Sequence, residues 1–199
     1  MKKVILGGVI AALAALPIVA SAQSGEGKFM VRGRVLSMKN DNGNSPPVGI
    51  EASDKVFPEF DFTYFITRNL ATELVLTYPQ KHDISLNGAN IGTVKQLPPT
   101  LMLQWHFIPE GTVRPYVGIG LNYTMFSDVK LTVAGADIDR NSWGLAYGAG
   151  VDIRLARQWF LNLDAKYVNI ETDVKVNGSK LTTLEINPWL LSVGVGYRF

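Results

Sequence analysis

Apolar residues alternate with small or polar residues along most of the chain, with a period of two. Between Trp143 and Arg154, one face carries large apolar side chains and the other carries mainly glycine and alanine. The same alternation runs through residues 114–126 and through the last stretch, which ends at Phe199. Strict alternation over such lengths predicts β-strands whose two faces meet different surroundings.

The bulky faces of these strands predict a barrel with its apolar side outward. A soluble sandwich buries its large side chains, but here aromatic residues mark both ends of the bulky face, as Trp189 and Phe199 do in the last strand. Their separation of ten residues corresponds to roughly 25 Å at ~3.3 Å per residue and a tilt near ~40°, which matches the lipid-facing band of an outer-membrane barrel. Trp159 and Tyr167 form a second such pair.

Eight segments show this alternation, and the connections between them are alternately short and long. The segments are approximately 28–38, 56–67, 70–79, 97–108, 114–126, 142–154, 158–170 and 184–199. The long connections, rich in Gly, Asn, Asp and Ser, are expected to form extracellular loops at 39–55, 80–96, 127–141 and 171–183. This plan predicts an all-β fold, an eight-stranded antiparallel transmembrane β-barrel. A soluble β-sandwich, the alternative, explains the strands but neither the alternating connections nor the outward aromatic residues.

The start of the chain has the features of a secretory signal peptide. The basic pair Lys2-Lys3 is followed by an apolar stretch and then by Ala20-Ser21-Ala22. Small residues at that spacing predict cleavage before Gln23 and export from the cytoplasm. The expected units are therefore a signal peptide at 1–22 and a barrel at 23–199. A transmembrane anchor, the alternative, needs ~20 apolar residues without a small-residue exit site.

Charge and cysteine content exclude several partners and sites. The chain has 19 basic and 17 acidic residues, and removal of Lys2 and Lys3 with the signal peptide leaves 17 of each. Without a basic excess there is nothing to neutralise nucleic-acid phosphates, so no nucleic-acid partner is expected. The chain contains no cysteine, so neither a disulfide framework nor a thiolate metal site is expected.

Ten charged residues are predicted to point into the barrel, five of each sign. They are Arg32, Arg34, Glu59, Asp61, Glu73, Asp152, Arg154, Asp164, Lys166 and Arg198. The interior of an eight-stranded barrel is only wide enough to be filled by side chains, and an unpaired charge there is costly. We therefore expect an ion-paired plug in the periplasmic half. A continuous polar channel is the alternative, which an even balance of signs disfavours.

The outer half of the interior is expected to carry less charge. Its inward residues are Val75, Thr77, Pro98, Thr100 and Met102. Pro98-Pro99 removes two backbone donors in succession, which predicts a weak seam in the barrel wall near the outer leaflet. The alternative is that the fourth strand begins only after Pro99. Pro79 lies at the matching end of the third strand, so both interpretations place the disruption at the same edge.

The two histidines of the chain do not suggest an enzyme. His82 lies with Asp83 and Ser85 in a predicted flexible outer loop, which would not hold a base and a nucleophile rigidly. His106 is expected near the periplasmic end, too far from His82 for a shared metal ion. Because no nucleophile, base and orienting group converge, the sequence predicts no catalysis, no metal site and no cofactor.

Several stretches of the chain resemble the outer membrane protein W (OmpW) family. They span nearly all of the chain after the signal peptide and comprise Leu97–Trp105, Arg114–Gly118, Asn122–Thr124, Ser142–Gly144 and Asn187–Phe199. The specific ones are LPPT, which begins at Leu97, and RPYVG, which begins at Arg114. In addition, the terminal residues Tyr197 and Phe199 resemble the signal read by the barrel-assembly machinery.

The resemblance implies an eight-stranded barrel with a hydrophobic channel that is entered from outside, opens sideways into the membrane and passes small apolar compounds. Carried over by position, the constriction of that channel involves Val75. A second contributor, aromatic in some relatives, corresponds to Lys166, and this departure extends the expected ligands to amphipathic molecules. Together with the seam and inward residues predicted from the alternation, the candidate constriction and seam residues are Val75, Pro98, Pro99, Thr100, Met102 and Lys166.

The sequence thus predicts a protein of the Gram-negative outer membrane that takes up small hydrophobic or amphipathic molecules and releases them laterally. Its expected partners are outer-membrane lipids, these small molecules and, during biogenesis, the barrel-assembly machinery. The alternative is a structural or receptor protein whose surface loops are bound by toxins or other partners, without transport.

Overall fold

A computed structural model describes residues 26–199 of the chain. The predicted signal peptide at 1–22 and its cleavage site before Gln23 lie outside these residues. Within 26–199, no helix is long and apolar enough to cross a membrane. The regular structure in this range consists of β-strands.

Fifteen strands form in the described part of the chain. They are β1 Phe29–Lys39, β2 Gly43–Ser45, β3 Ile50–Ala52, β4 Lys55–Phe65, β5 Leu70–Leu76, β6 Gln80–Leu86, β7 Ala89–Leu97, β8 Thr100–His106, β9 Val113–Leu131, β10 Ala136–Ile138, β11 Asn141–Arg154, β12 Trp159–Val168, β13 Glu171–Val176, β14 Ser179–Glu185 and β15 Trp189–Arg198.

Eight of the strands close into a barrel. Their order around the wall is β11, β12, β15, β1, β4, β5, β8 and β9, and β9 pairs back with β11. Every neighbouring pair is antiparallel. These eight strands correspond to the eight segments with alternating residues, which confirms the predicted all-β barrel.

The two faces of the barrel strands have the predicted character. In β9, the apolar side chains of Val117, Ile119 and Leu121 are exposed on the outside, where they form part of the lipid-facing band. Small residues face inward because the narrow interior leaves no room for more. At Gly194 an added Cβ would lie 2.1 Å from the carbonyl oxygen of Gly33 on the neighbouring strand.

Aromatic residues mark the two rims of the lipid-facing band. At the N-terminal end of β12, the rings of Trp159 and Tyr197 lie 5.0 Å apart. At its other end, the rings of Tyr167 and Trp189 lie 5.2 Å apart. Amphipathic rings of this kind settle at the headgroup level of a membrane, so the barrel is anchored at both interfaces.

Two of the long connections, which were expected to be extracellular loops, are ordered as β-hairpins. β6 and β7 are joined by Asn87-Gly88, with φ of 51° and 82°, and β13 and β14 by Asn177-Gly178, with φ of 50° and 81°. Positive φ at both positions is the geometry of a tight hairpin turn that Asn-Gly favours. The hairpin β13–β14 also forms a second, four-stranded sheet with β10 and β2.

The interior beside these hairpins is apolar and closed by side chains. The barrel supplies Leu36, Phe57, Met102 and Ala146, among others, and the extracellular hairpins supply residues such as Ile84. These side chains pack into one buried cluster. The outer half of the interior is therefore a hydrophobic compartment rather than a water-filled pore.

Candidate functional site

Two arginines of β1 organise a network of ion pairs across the interior. Arg32 lies opposite Asp61 in the β1–β4 register, and its guanidinium donates to Asp61 Oδ1 at 2.9 Å and to Asp152 Oδ2 at 2.8 Å. Arg34 donates through Nη2 to Glu73 Oε1 at 2.6 Å and to Asp61 Oδ2 at 2.5 Å. All five side chains are buried. Alternation along each strand thus places charged groups of β1, β4, β5 and β11 at one level of the barrel.

Lys166 completes this network from β12. Its ammonium group pairs with Asp164 on the same face of the strand and lies 3.8 Å from Glu59. Glu59 in turn lies 2.8 Å from Nε of Arg34. The hydroxyl of Tyr116 donates to Asp164 Oδ2 at 2.8 Å, which ties the network to β9. Lys166, implied by resemblance to sit at the channel constriction, is therefore held among carboxylates.

These groups form a single barrier, which we call the central network. Its members are Arg32, Arg34, Lys166, Glu59, Asp61, Glu73, Asp152 and Asp164. Five acidic groups thus meet three basic groups, and all are buried. The paired side chains come from five of the eight strands of a narrow barrel, so they span its interior.

A second cluster closes the periplasmic mouth, and it corrects the expected composition of the plug. Arg154 and Arg198, assigned from sequence to the same plug as Arg32, instead bind Glu26, and Arg114 joins them. Arg198 donates to Glu26 Oε2 at 2.8 Å. We call these four residues the mouth cluster. Three guanidinium groups share one carboxylate there, so the excess of acid in the central network is matched by an excess of base in the mouth.

Aromatic rings and backbone support the mouth cluster. Arg114 lies over the ring of Phe160 at 4.8 Å, and Arg198 lies over that of Phe65 at 3.7 Å. Nε of Arg198 also donates to the carbonyl oxygen of Gly27 at 2.7 Å. Sequence reasoning missed Arg114, although it continues the inward face of β9 that includes Tyr116. Glu26 precedes the first strand, so no alternation could have assigned it.

Three of the residues assigned to the outer half of the interior lie next to the central network, since Val75 pairs with Asp61 and Met102 with Glu73 in the strand registers. Val75, Thr100 and Met102 are buried, whereas Thr77 is half-buried. Met102 packs in the apolar cluster described above. Val75 and Thr100 are paired in the β5–β8 register, where they form the last described pair of that ladder. The apolar compartment therefore begins next to the central network.

Pro98-Pro99 interrupts the fourth barrel strand, with a strand on either side of it. β7 ends at Leu97 and β8 begins at Thr100, so the barrel strand does begin after Pro99, but an extracellular strand precedes the interruption. The side toward β9 stays joined, because the Tyr123 amide donates to the carbonyl oxygen of Pro99 at 3.1 Å. On the side toward β5, the described pairing stops at Val75 and Thr100.

The wall is incomplete beside the interruption, between β4 and the chain that follows β5. β4 begins at Lys55, but its described pairing with β5 begins only at Phe60 and Leu76. Residues 55–59 therefore pair with β1 on one side and, within 26–199, have no strand partner on the other. We call this stretch without ladder pairing, bounded by 55–59 and 77–79, the wall gap.

Two aromatic residues meet across the wall gap. Phe57 is buried among the apolar residues of the interior, and Tyr78 is exposed on the outside. Their ring centroids lie 6.5 Å apart in an edge-on arrangement. On its extracellular side the gap ends where the Ser53 amide donates to the carbonyl oxygen of Asp83 at 3.1 Å. Sequence analysis missed Phe57 and Tyr78, because their meeting depends on the point at which the pairing of β4 and β5 stops.

The structure places the two histidines at opposite ends of the barrel, and the surroundings of His82 differ from those predicted. His82 lies in β6 with its ring buried, and Nδ1 is 2.8 Å from the carbonyl oxygen of Ser53. The loop that was predicted to be flexible is thus a strand, and the backbone of Ser53 holds the ring. His106 packs between the rings of Phe65 and Tyr116 near the mouth. Within residues 26–199, no group of three or more His, Cys, Asp or Glu side chains is arranged to hold a metal ion.

The terminal residues lie at the seam where the barrel closes. The amide of Phe199 donates to the carbonyl oxygen of Phe29 at 2.8 Å, and the amide of Phe29 donates back at 3.1 Å. The hydroxyl of Tyr197 donates to Gln158 Oε1 at 3.0 Å. Both aromatic rings belong to the rim on which Trp159 lies.

Comparison with known proteins assigns the chain to a family. The model of the OmpW family matches residues 25–199. Outer membrane protein W of Vibrio cholerae is 34% identical over 220 residues, which cover 100% of each chain. A protein of Pseudomonas aeruginosa named dibenzothiophene metabolism operon protein PahQ is 28% identical and covers 79% of each chain.

A solved structure agrees with the fold. The crystal structure of the outer membrane protein OprG from Pseudomonas aeruginosa superimposes with a TM-score of 0.77, at 27% identity. The match covers 87% of this chain and 96% of that one. The barrel described here is therefore an outer-membrane barrel, and its exposed apolar band is the surface that contacts lipid.

Proposed function

The chain belongs to the OmpW family of outer-membrane proteins, and on that premise we propose that it takes up small hydrophobic or amphipathic molecules from the medium and releases them sideways into the membrane. The observation that carries the proposal is the wall gap. There, residues 55–59 have no strand partner on the β5 side within the described chain. Phe57 and Tyr78 fill the opening with side chains instead of backbone hydrogen bonds. Side chains can rotate away without breaking a ladder, so the wall can open at this point.

The central network and the mouth cluster support a sideways exit over a path to the periplasm. A molecule moving straight on would have to separate ion pairs such as Arg32 with Asp152 and Arg34 with Glu73, which are buried. An apolar solute offers those charges no replacement partner, and an unpaired buried charge is costly. Leaving through the wall gap places the solute in the apolar layer that favours it.

The outer compartment supplies the entry. Its lining includes Leu36, Phe57 and Met102 from the barrel and Ile84 from the β6–β7 hairpin. These side chains fill the compartment in the structure, so a ligand has to displace them as it enters. Movement of the β6–β7 hairpin costs less than movement of the barrel wall, because its outer edge is held to β3 by three residue pairs and its pairing with β9 is irregular.

The name of one relative fits this ligand class. The Pseudomonas aeruginosa relative is named for dibenzothiophene metabolism, and dibenzothiophene is a flat, apolar aromatic molecule. A compartment lined by apolar side chains suits a molecule of that kind.

Uptake of a radiolabelled apolar arene by intact Gram-negative cells tests the proposal. We expect faster uptake by cells with the wild-type protein than by cells without it, and slower uptake with Val75→Arg, which places a charge at the base of the apolar compartment. Val133→Arg, an exposed extracellular position, is the matched control and should leave uptake unchanged. Each variant is checked for the heat-dependent gel mobility of a folded barrel. If wild-type and empty cells take up the arene equally, the protein is a structural or receptor barrel instead.

The partner in biogenesis is a separate part of the proposal. We infer that Tyr197 and Phe199 are read by the barrel-assembly machinery. Their place at the closing seam supports this, since Phe199 forms the two backbone hydrogen bonds with Phe29 that complete it. Deletion of Phe199 should leave the protein unassembled in cells, and normal assembly of that variant would contradict the inference.

A further inference from the structure

The β6–β7 hairpin turns unpaired polar atoms toward the apolar compartment. Gln96 of β7 is 1% exposed, and neither its Oε1 nor its Nε2 has a hydrogen-bond partner among residues 26–199. Buried amide groups in proteins are nearly always hydrogen-bonded, because leaving them unpaired costs free energy. A buried and unpaired amide therefore marks a place where a ligand or a water molecule binds.

His82 of β6 presents a second unpaired atom to the same compartment. Its Nδ1 lies 2.8 Å from the carbonyl oxygen of Ser53, and a carbonyl oxygen can only accept, so Nδ1 carries the proton. In the neutral ring Nε2 is then a bare acceptor, and it has no partner in the described chain. Burial lowers the pKa of His82, which keeps the ring neutral at pH 7.

The register of the hairpin brings these two side chains together. Gln80 pairs with Gln96, and His82 pairs with Val94. Gln96 and His82 are therefore diagonal neighbours on one face of adjacent strands, with Cα atoms ~7–8 Å apart. A single small polar group placed between the two side chains can reach both.

The side chains beside Gln96 are apolar, and the charged groups that act on His82, which are Lys55, Asp83 and Asp54, are already in ion pairs. Val94 lies on the same face and Phe126 is the register partner of Gln96 on β9, and both belong to the apolar cluster. The charged residues of the hairpin turn to the other face, where Lys95 pairs with Asp128 at 2.5 Å. A charged head group would find no counter-ion beside Gln96, so the pair suits an uncharged one.

We propose that His82 and Gln96 bind the hydroxyl group of a neutral amphiphile, such as an alcohol or a phenol, whose apolar body lies in the outer compartment. The hydroxyl hydrogen is donated to Nε2 of His82, and the hydroxyl oxygen accepts from Nε2 of Gln96. This proposal rests on the proposed uptake function and narrows its ligand class. It also gives the pair a selective role, because a pure hydrocarbon leaves both side chains unpaired.

Imidazole ¹⁵N NMR of the full-length protein in lipid nanodiscs tests the proposal directly. The chain contains two histidines, so the spectrum resolves His82 from His106, which serves as an internal control at the other end of the barrel. The probes are 1-octanol and heptyl methyl ether, which have equal numbers of heavy atoms, but only the alcohol donates a hydrogen bond. We expect octanol to shift the Nε2 signal of His82 saturably and to bind about tenfold more tightly than the ether, while His106 stays unchanged.

Variants separate a binding role from a structural one. Gln96→Leu should weaken octanol binding about tenfold and remove the preference over the ether. The matched control is Gln80→Leu, because the side-chain Nε2 of Gln80 already donates to the Tyr78 carbonyl oxygen at 2.8 Å. This variant should keep the preference for octanol over the ether. If Nε2 of His82 is already hydrogen-bonded without a probe and octanol does not move it, an ordered water alone occupies the site and the proposal is wrong.

Cell uptake of the two probes distinguishes failure of the His82–Gln96 proposal from failure of the proposed uptake function. Equal acceleration of octanol and ether by the wild-type protein would leave uptake standing and overturn the selective role of His82 and Gln96. Acceleration of neither probe would overturn uptake itself. Acceleration of octanol above the ether, lost in Gln96→Leu, supports both.

Discussion

The carboxylate of Glu26 accepts a hydrogen bond from Nη2 of Arg114 at 2.5 Å and a second from Nη1 of the same guanidinium, across 88 residues of sequence. This bidentate ion pair joins the segment before the first strand to the wall of the barrel. Because Glu26 also binds Arg154 and Arg198, one residue holds the mouth cluster together.

Glu26→Gln should therefore loosen the periplasmic mouth. The change removes the only carboxylate of the mouth cluster, and we expect a loss of about 1–2 kcal/mol in the free energy of unfolding, since the cluster is partly solvated. The amide of Phe29, bonded to the Phe199 carbonyl oxygen, should exchange faster with deuterium. Urea unfolding and hydrogen exchange in lipid measure both effects. Glu110→Gln, which breaks an exposed pair with Arg68, is the control, and an equal effect of the two changes would contradict this role for Glu26.

The outward faces of the strands predict where a charge is not tolerated. Val193 is exposed in the lipid-facing band, between Val35 and Leu163 on the adjacent strands. Val193→Arg should cost ~2–4 kcal/mol near the middle of the membrane. The same substitution at Val133, in an extracellular turn, should change the free energy of unfolding by less than ~0.5 kcal/mol. Equal stability of the two variants in liposomes would refute the assignment of the lipid-facing side.

The sequence was sufficient to predict the barrel, its eight strands and their faces, because one physical rule decides all three. A strand between lipid and a narrow interior must alternate bulky and small residues, as β9 and β15 do. The extracellular hairpins also left a local signal, the Asn-Gly pairs at 87–88 and 177–178, which is a strong mark of a tight turn. That signal was present in segments expected to be loops.

The division of the interior charges could not be predicted, because it depends on the level at which each strand crosses the barrel. Alternation shows that Asp152 and Arg154 share a face. It does not show that Asp152 pairs with Arg32 while Arg154 pairs with Glu26. The wall gap was foreseen only as a disruption near Pro98-Pro99. Its position beside β4 follows from where the β4–β5 pairing stops, at Phe60 and Leu76, and of the local signals there, Pro58 and Pro79, only Pro79 was used.

The unequal charges of the central network predict an unequal response to mutation. Five acidic groups share three basic ones, so the loss of a basic group leaves more charges unpaired than the loss of an acidic one. Arg34→Met should destabilise the barrel by about 3–5 kcal/mol, whereas Glu73→Gln, which retains a polar group beside Gln104, should cost about 1–2 kcal/mol. Urea titration in liposomes measures the order, and the reverse order would contradict the network as described.

Export makes a prediction about the start of the mature protein. Cleavage after Ala22 gives a chain that begins at Gln23, three residues before Glu26. Mass spectrometry of the protein extracted from outer membranes should give that mass. Retention of residues 1–22 in the extracted protein would contradict export by a cleaved signal peptide.

The central claim, lateral release through the wall gap, is tested most directly by closing the gap reversibly. The chain has no cysteine, so Phe57→Cys/Tyr78→Cys can be bridged by a short bis-methanethiosulfonate cross-linker, which forms a reducible disulfide with each thiol and releases methanesulfinate. Tyr123→Cys/Trp143→Cys is the matched control, since these rings face each other at 4.6 Å across the intact β9–β11 ladder. Uptake of a labelled arene by cells should slow when the gap is bridged, recover on reduction and stay unchanged when the control pair is bridged. Uptake at the wild-type rate with the gap fully bridged would contradict lateral release.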